Sequence, residues 1–222
     1  MLSNLFPNVK AEDMIEATYE TLYMTLLSLV GVVIFGILLG LLLYLTNKNG
    51  IWENRYIYHS TSAVVNFFRA VPFIILILLL FPFTDFLIGT VRGPNAAIPA
   101  LIIGSAPFYA RLVEIALVEV DKGVVEAAKS MGAKTKTIIF KVLLPESMPA
   151  LISGITVTSI ALIGYTAMAG LIGAGGLGNR AHYYGFMRRD FDVVLACTII
   201  IVIIVFIFQF IGDMISKRID KR

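Results

Sequence analysis

Long uncharged stretches alternate with short polar segments along this chain. A membrane-spanning helix needs about 20 mainly apolar residues, and the run from Tyr23 to Leu45 supplies 23. Further uncharged stretches cover residues 70–84, 94–110, 147–179 and 193–212. The pattern predicts an all-α integral membrane protein that forms one domain over residues 1–222. Its five transmembrane helices are predicted at about residues 20–46, 60–84, 94–117, 147–172 and 193–214.

The fourth stretch has 33 residues, which is more than one span requires. Its end is rich in glycine from Gly170 to Gly178, so we expect the chain to leave the helix before Asn179, in a re-entrant or interfacial turn. Gly173, Gly175 and Gly178 also satisfy the G-x-G-x-x-G pattern of nucleotide sites. No predicted strand precedes them and no basic P-loop residue follows, so we do not expect nucleotide binding there.

The composition indicates lipid as the solvent. The chain is 58% hydrophobic and 15% charged, whereas ordinary soluble domains are near half apolar and about a quarter charged. The net charge of +3 does not imply nucleic acid, because basic residues in membrane proteins chiefly set orientation. Cys197 is the only cysteine, and His59 and His182 are isolated in sequence. Neither a disulfide nor a metal site is therefore expected.

Lysines and arginines are divided unequally between the two sides of the predicted spans. Eleven lie on the side of the longest loop and the C-terminal tail, namely Lys48, Arg55, Lys122, Lys129, Lys134, Lys136, Lys141, Lys217, Arg218, Lys221 and Arg222. Five lie on the opposite side, namely Lys10, Arg92, Arg180, Arg188 and Arg189. Because cytoplasmic loops carry the excess of basic residues, we predict that the N-terminus is outside and the C-terminus is cytoplasmic.

The polar segment over residues 119–146, called the elbow below, is long enough to hold structure of its own. Its apolar positions recur at the spacing i, i+3, i+4 and i+7, first at Val124, Ala127, Ala128 and Met131 and then at Thr135, Ile138, Ile139 and Val142. This spacing predicts two short amphipathic helices. We expect a left-handed Gly132 to end the first helix and Pro145 to end the second.

Helices this short are marginal in water, so another surface must cover their apolar stripes. The stripes could pack on the ends of the chain's own spans. They could also form a docking surface for a different subunit. The spacing by itself leaves both interpretations open.

The elbow resembles the signature of the permeases of binding-protein-dependent ABC importers. That signature is E-A-A, three residues, G, nine residues and I-x-L-P, and Val142 replaces its isoleucine here. The matching residues are Glu126, Ala127, Ala128, Gly132, Leu144 and Pro145. The resemblance implies the type I importer fold, in which the elbow supplies coupling helices that dock on a separate ATPase. It also implies a polar contact with the ATPase for Glu126 and the bend for Gly132.

The same resemblance implies the partners and the location. It implies a multi-pass protein in the plasma (inner) membrane of a prokaryote, in contact with lipid and without nucleic acid. The implied protein partners are a second copy of the chain, two ATPase subunits and an extracytoplasmic substrate-binding protein. The sequence has no Walker motif and no nucleophile-base pair, so we expect no enzymatic activity and no bound cofactor. ATP and Mg²⁺ would be used by the partner ATPase.

Three further stretches resemble the methionine import permeases within that family. They cover residues 67–74, residues 106–111 with Glu114, and residues 164–168 running into 173–178. The resemblance implies import of L-methionine and D-methionine, with capture chiefly by the external binding protein. Another amino acid or small solute is the alternative within the family. A secondary transporter, which usually needs an ionisable or backbone-lined site near the midplane, and a noncatalytic scaffold are the alternatives outside it.

Several residues within or beside the predicted spans are candidates for function or packing. We expect Arg69 and Arg111 near the cytoplasmic interface, snorkelling or paired, and Arg111 could pair with Glu114 one helical turn on. Gly36 and Gly40 form a G-x-x-x-G step that favours packing within the subunit. One face of the fourth span is less purely aliphatic and either lines the translocation pathway or packs; it carries Thr158, Tyr165 and Met168.

Overall fold

The computed structural model describes residues 9–48 and 50–219, and within them it contains helices and turns but no strand. The helices are α1 Ala11–Thr46, α2 Arg55–Ala70, α3 Phe73–Leu79, α4 Phe81–Ile88, α5 Pro94–Val118, α6 Lys122–Ser130, α7 Thr135–Ile138, α8 Leu144–Leu171, α9 Gly176–Arg180 and α10 Phe191–Ile219. Two π-helical segments, Ile139–Leu143 and Ala181–Met187, follow α7 and α9. The expectation of an all-α fold is confirmed.

Four helical stretches of the described chain are long and apolar enough to cross a membrane: α1, α5, the continuous stretch Thr135–Leu171, and α10. A fifth span arises only if α2 and α3 count as one, and their axes are bent by 107°. The break falls at Val71 and Pro72, which have extended ψ angles of 125° and 134°. Proline has no N–H to donate and disfavours helical geometry in the residue before it. One continuous helix over residues 60–84 was therefore the wrong expectation.

Helix α5 lies at the centre of the core, where the side chains of Tyr109 and Val113 are fully buried. Helix α1 packs closely along it. A Cβ on Gly36 would lie 2.5 Å from the Tyr109 ring, and one on Gly40 would lie 2.7 Å from the carbonyl oxygen of Ala110. Both glycines therefore serve packing within this subunit, as the sequence predicted.

The second helix of the elbow runs without interruption into α8. Pro145 lies in the first turn of α8, where a missing N–H is tolerated. Just before it, the N–H of Leu144 donates to the carbonyl of Ile139, five residues earlier, and closes the wide turn of a π-helix. The expectation that Pro145 ends the second elbow helix is therefore wrong. The second elbow helix and α8 form one helical rod, Thr135–Leu171.

The opposite end of α8 is held by helix α1. α8 ends at Leu171, so the chain leaves the helix before Asn179 as expected, and it then turns into α9. The backbone N–H of Gly176 donates to the Glu20 carboxylate at 2.6 Å, and that of Leu177 donates to the Thr21 hydroxyl at 2.9 Å. Two side chains of α1 thus satisfy N–H groups that the start of α9 leaves free.

Candidate functional site

The turn between the two elbow helices has the geometry that its sequence predicts. The carboxylate of Asp121 caps α6 by accepting from the N–H of Gly123 at 2.7 Å. At the other end Gly132 has a φ of 76°. The N–H of Gly132 donates to Lys129 O at 2.9 Å and that of Ala133 to Ala128 O at 3.0 Å. This pair of bonds is a Schellman motif, and it confirms Gly132 as the residue that ends the first helix.

The second predicted stripe is confirmed, since Ile138 and Ile139 are buried, but on the first elbow helix the face that packs inside the chain differs from the prediction. On α6 the buried apolar side chains are Val125 and Ala128, which join the main core. Val124 is 42% exposed and Met131 is 81% exposed, so the stripe expected from Val124 to Met131 is not the buried one. Phe140 on the second helix is also exposed, at 66%. The elbow therefore packs on its own spans and still leaves these three apolar side chains uncovered.

Four of the six signature residues are exposed, whereas Leu144 is partly buried and Ala128 is buried in the core. Glu126 and Ala127 are exposed on α6, and Pro145 is exposed at the start of α8. Glu126 has no hydrogen-bond or ion-pair partner in the part of the chain that the structure describes. It borders a cavity of about 360 Å³ together with Lys122 and Lys129. A carboxylate between two lysines, unpaired and exposed, is available to a polar group of another subunit.

A second concave feature lies at the break between α2 and α3. This recess has a volume of about 250 Å³ and is lined by Phe68, Arg69, Val71, Phe73, Leu76, Gly104, Phe108 and Tyr165. The rings of Phe73 and Tyr165 stack with centroids 4.5 Å apart and planes 8° from parallel. Three separate stretches of sequence thus contribute to one mainly aromatic cavity.

The candidate pathway residues of α8 lie in three different environments. Tyr165 lines the recess. Thr158 is buried, and its hydroxyl donates to the carbonyl of Gly154 at 2.7 Å within the same helix. Met168, near the end of α8, is 42% exposed. Of these three side chains, the structure brings only Tyr165 into the recess.

A polar network joins α2 to α5 on the elbow side of the bundle. Arg111 pairs with Glu114, which confirms the predicted i, i+3 pairing. A second guanidinium nitrogen donates to Ser62 Oγ and to Asn66 Oδ1, both at 3.0 Å. The Tyr58 hydroxyl donates to the other oxygen of Glu114 at 3.3 Å. Glu114 is buried, so these bonds compensate a carboxylate that has little access to water.

Arg69 lies in the last turn of α2, at the edge of the recess. It lines the recess beside Gly104, which is ten residues from the start of α5 and fourteen from its end. At 1.5 Å per residue, Gly104 is about 15 Å from one end of α5 and about 21 Å from the other. The expected position of Arg69 near the cytoplasmic interface stays a prediction, and the recess supports a deeper position as the alternative. The available signal was a charged residue within a predicted span, which often marks a functional site.

Comparison with known proteins agrees with the fold and with the elbow. The family described as binding-protein-dependent transport system inner membrane component matches residues 32–221. The chain belongs to this family of importer permeases.

Individual members of this family that are similar to the chain are methionine permeases. The chain is 64% identical over 222 residues, all of both chains, to the methionine import system permease protein MetP of Bacillus subtilis (strain 168). It is 45% identical over 157 residues, 71% of this chain and 72% of the relative, to the D-methionine transport system permease protein MetI of Escherichia coli (strain K12). A solved structure of the MetNI methionine ABC transporter in inward-facing conformations matches with a TM-score of 0.93 and 41% identity, over 96% of this chain and 100% of that one.

Proposed function

We propose that this chain is the membrane-spanning subunit of an ATP-driven importer of methionine, accepting both L-methionine and D-methionine. The observation that carries the proposal is the 64% identity, over the whole chain, to a methionine import permease. The similarity to a D-methionine permease supports the D stereoisomer. A separate ATPase would hydrolyse ATP with Mg²⁺, so this chain would supply the passage and no catalysis.

The proposed assembly has two copies of this chain, two ATPase subunits and an extracytoplasmic binding protein, in a prokaryotic plasma membrane. The whole chain, residues 1–222, would form one permease domain with five spans, α2 and α3 together making the second. The elbow would face the cytoplasm, because it lies on the side with eleven of the lysines and arginines. A C-terminal tag accessible from outside intact cells would contradict this orientation.

The ATPase is proposed to bind the exposed side of the elbow. Its contacts would be Glu126, Ala127, Gly132, Leu144 and Pro145, with the uncovered side chains of Val124, Met131 and Phe140. Ala128, the remaining signature residue, is 6% exposed and would support this surface from the core. The three uncovered apolar side chains are 42%, 81% and 66% exposed. With the elbow in the cytoplasm, as proposed, they would be exposed to water. An exposed apolar patch rimmed by charged residues is typical of a protein-protein contact.

Replacing Gly132 by valine is expected to reduce transport about tenfold or more while leaving membrane insertion intact. A β-branched residue at a φ of 76° is strained by about 1–3 kcal/mol, so the two elbow helices would change their relative angle. Gly132→Asn is the matched control, because asparagine tolerates left-handed geometry. The measurement is uptake and copurification with the ATPase. Parental values for Gly132→Val would contradict the coupling role.

The translocation pathway is proposed to run along the face of α8 that carries Thr158, Tyr165 and Met168. Tyr165 borders the recess and Met168 is partly exposed, which supports these two more directly than the buried Thr158. Tyr165→Ala and Met168→Ala are expected to change transport rate or basal ATP hydrolysis without changing the methionine affinity of the binding protein. Unchanged transport in both variants would contradict this pathway.

The decisive experiment is uptake of radiolabelled methionine by vesicles that contain the permease, the ATPase and the binding protein. We expect ATP-dependent uptake that excess unlabelled L-methionine or D-methionine suppresses. The permease alone should show neither tight binding nor uptake. Uptake that an unrelated solute suppresses and excess methionine does not would contradict the substrate, while leaving the importer class in place.

A further inference from the structure

Arg69 lines the recess, and its charge has no counterpart in the part of the chain that the structure describes. No acidic side chain and no hydrogen-bond acceptor pairs with it there. Arg111, the other arginine beside the predicted spans, has a carboxylate and two further acceptors. The two arginines beside the predicted spans therefore differ, because Arg111 is paired within the chain and Arg69 is not.

The recess reaches well inside the span α5, and Arg69, which lines it, is exposed in the single chain. Its neighbour Gly104 lies about 15 Å from one end of α5 by helical rise, which is near the middle of a hydrocarbon core about 30 Å thick. A charged side chain at that depth faces a water-filled cavity or pairs with another charge, and such residues mark solute pathways. The open recess of about 250 Å³ supplies the cavity, and a transported anion group would supply the missing charge.

The rest of the recess is suited to an apolar side chain. Phe68, Phe108 and the stacked pair of Phe73 and Tyr165 form its walls. Gly104 lets α3 pack closely on α5, since a Cβ there would lie 3.1 Å from the Phe73 ring. A thioether makes favourable contacts with aromatic rings. At liquid density the volume corresponds to about eight water molecules, which is the scale of one amino acid.

We propose that this recess is a transient binding station for the transported amino acid, in which Arg69 binds the carboxylate and the aromatic walls hold the apolar side chain. The inference rests on the proposed function and adds a residue that recognises substrate within the membrane. Binding at such a station must be weak enough for the solute to leave. One guanidinium against aromatic walls, with no second charge for the ammonium group, meets that requirement.

The first test compares three arginine variants in vesicles with the full complex. Arg69→Gln is expected to reduce methionine uptake about tenfold, the effect of losing one charge-assisted hydrogen bond. Arg69→Lys keeps the positive charge and should retain part of the uptake. Arg55→Gln is the matched control, since Arg55 is an exposed arginine at the start of the same helix. Parental uptake by Arg69→Gln, in a complex whose wild type imports methionine, would overturn the inference and leave the proposed function standing.

The second test uses only the wild-type complex, so it does not depend on whether any variant folds. Equilibrium dialysis of radiolabelled methionine against the permease-ATPase complex, without the binding protein, is expected to show weak binding. Norleucine, which keeps the carboxylate, should compete, and methioninamide, which lacks it, should compete at least tenfold less well. Equal competition by methioninamide, or no binding at millimolar methionine, would overturn the inference. A wild-type complex that imports no methionine would instead contradict the proposed function, and the proposed ligand with it.

Discussion

Replacement of Glu114 by alanine is expected to lower the free energy of unfolding by about 3 kcal/mol, because it leaves the partly buried Arg111 without its carboxylate. The pair is held between α2 and α5, where Arg111 also binds Ser62 and Asn66. Those two neutral acceptors remain in the variant but carry no negative charge. The measurement is thermal inactivation of the detergent-solubilised complex, followed by the loss of monodisperse protein.

The matched control removes both charges at once. Arg111→Met combined with Glu114→Leu replaces the pair by apolar side chains of similar size, and such replacements are often neutral or stabilising. We expect the double variant to be more stable than Glu114→Ala. If the double variant is less stable than Glu114→Ala, the destabilisation by Glu114→Ala does not come from leaving the charge of Arg111 unpaired.

Replacement of Gly178 by alanine is expected to destabilise the protein by about 3 kcal/mol through overpacking of backbone against backbone. A Cβ at this position would overlap the carbonyl oxygen of Ala167 and lie 2.5 Å from its Cα. Neither atom belongs to a flexible side chain, so α8 and α9 would have to separate. The same thermal assay measures the effect.

Gly164→Ala is the matched control for that change. Gly164 lies on the same helix as Ala167, and a Cβ there would meet nothing within 4 Å. Alanine is favoured over glycine in a helix by up to about 1 kcal/mol, so Gly164→Ala should be neutral or slightly stabilising. Equal destabilisation by Gly164→Ala and Gly178→Ala would show that loss of glycine flexibility, and not close contact, determines both results.

Local patterns predicted the features that depend on neighbouring residues. The uncharged runs predicted α1, α5, α8 and α10, because apolar length is what a bilayer demands. The position of Gly132 between two amphipathic segments predicted a left-handed cap. The i, i+3 spacing of Arg111 and Glu114 predicted their pairing.

The wrong expectations arose where two structures share one local pattern. An apolar run containing Pro72 fits a kinked span or a sharp break equally well, and the direction of the chain after proline is set by packing. Pro145 is compatible with a helix end or a first helical turn. On α6 both Val124 and Val125 satisfy a helical period, and in the folded chain Val125 is the one that is buried.

The recess could not be found by any single segment of sequence. Its lining comes from the α2–α3 break, from α5 and from α8, and these are brought together only by the tertiary fold. The sequence did show an arginine next to an apolar run at Arg69. What it could not show is that the 107° bend brings Phe73 and Leu76 of α3 against Gly104, in the recess that Arg69 also lines.

The uninterrupted helix from the elbow into the membrane has a geometric consequence for the size of movements. The stretch Thr135–Leu171 contains 37 residues, so at 1.5 Å per residue it is about 55 Å long. If it pivots as a rigid rod about its elbow end, a tilt of about 10° displaces the other end by about 10 Å. That far end is where Glu20 and Thr21 of α1 hold the start of α9. A rotation too small to disturb contacts at the elbow would therefore be enough to pull those bonds apart on the opposite face.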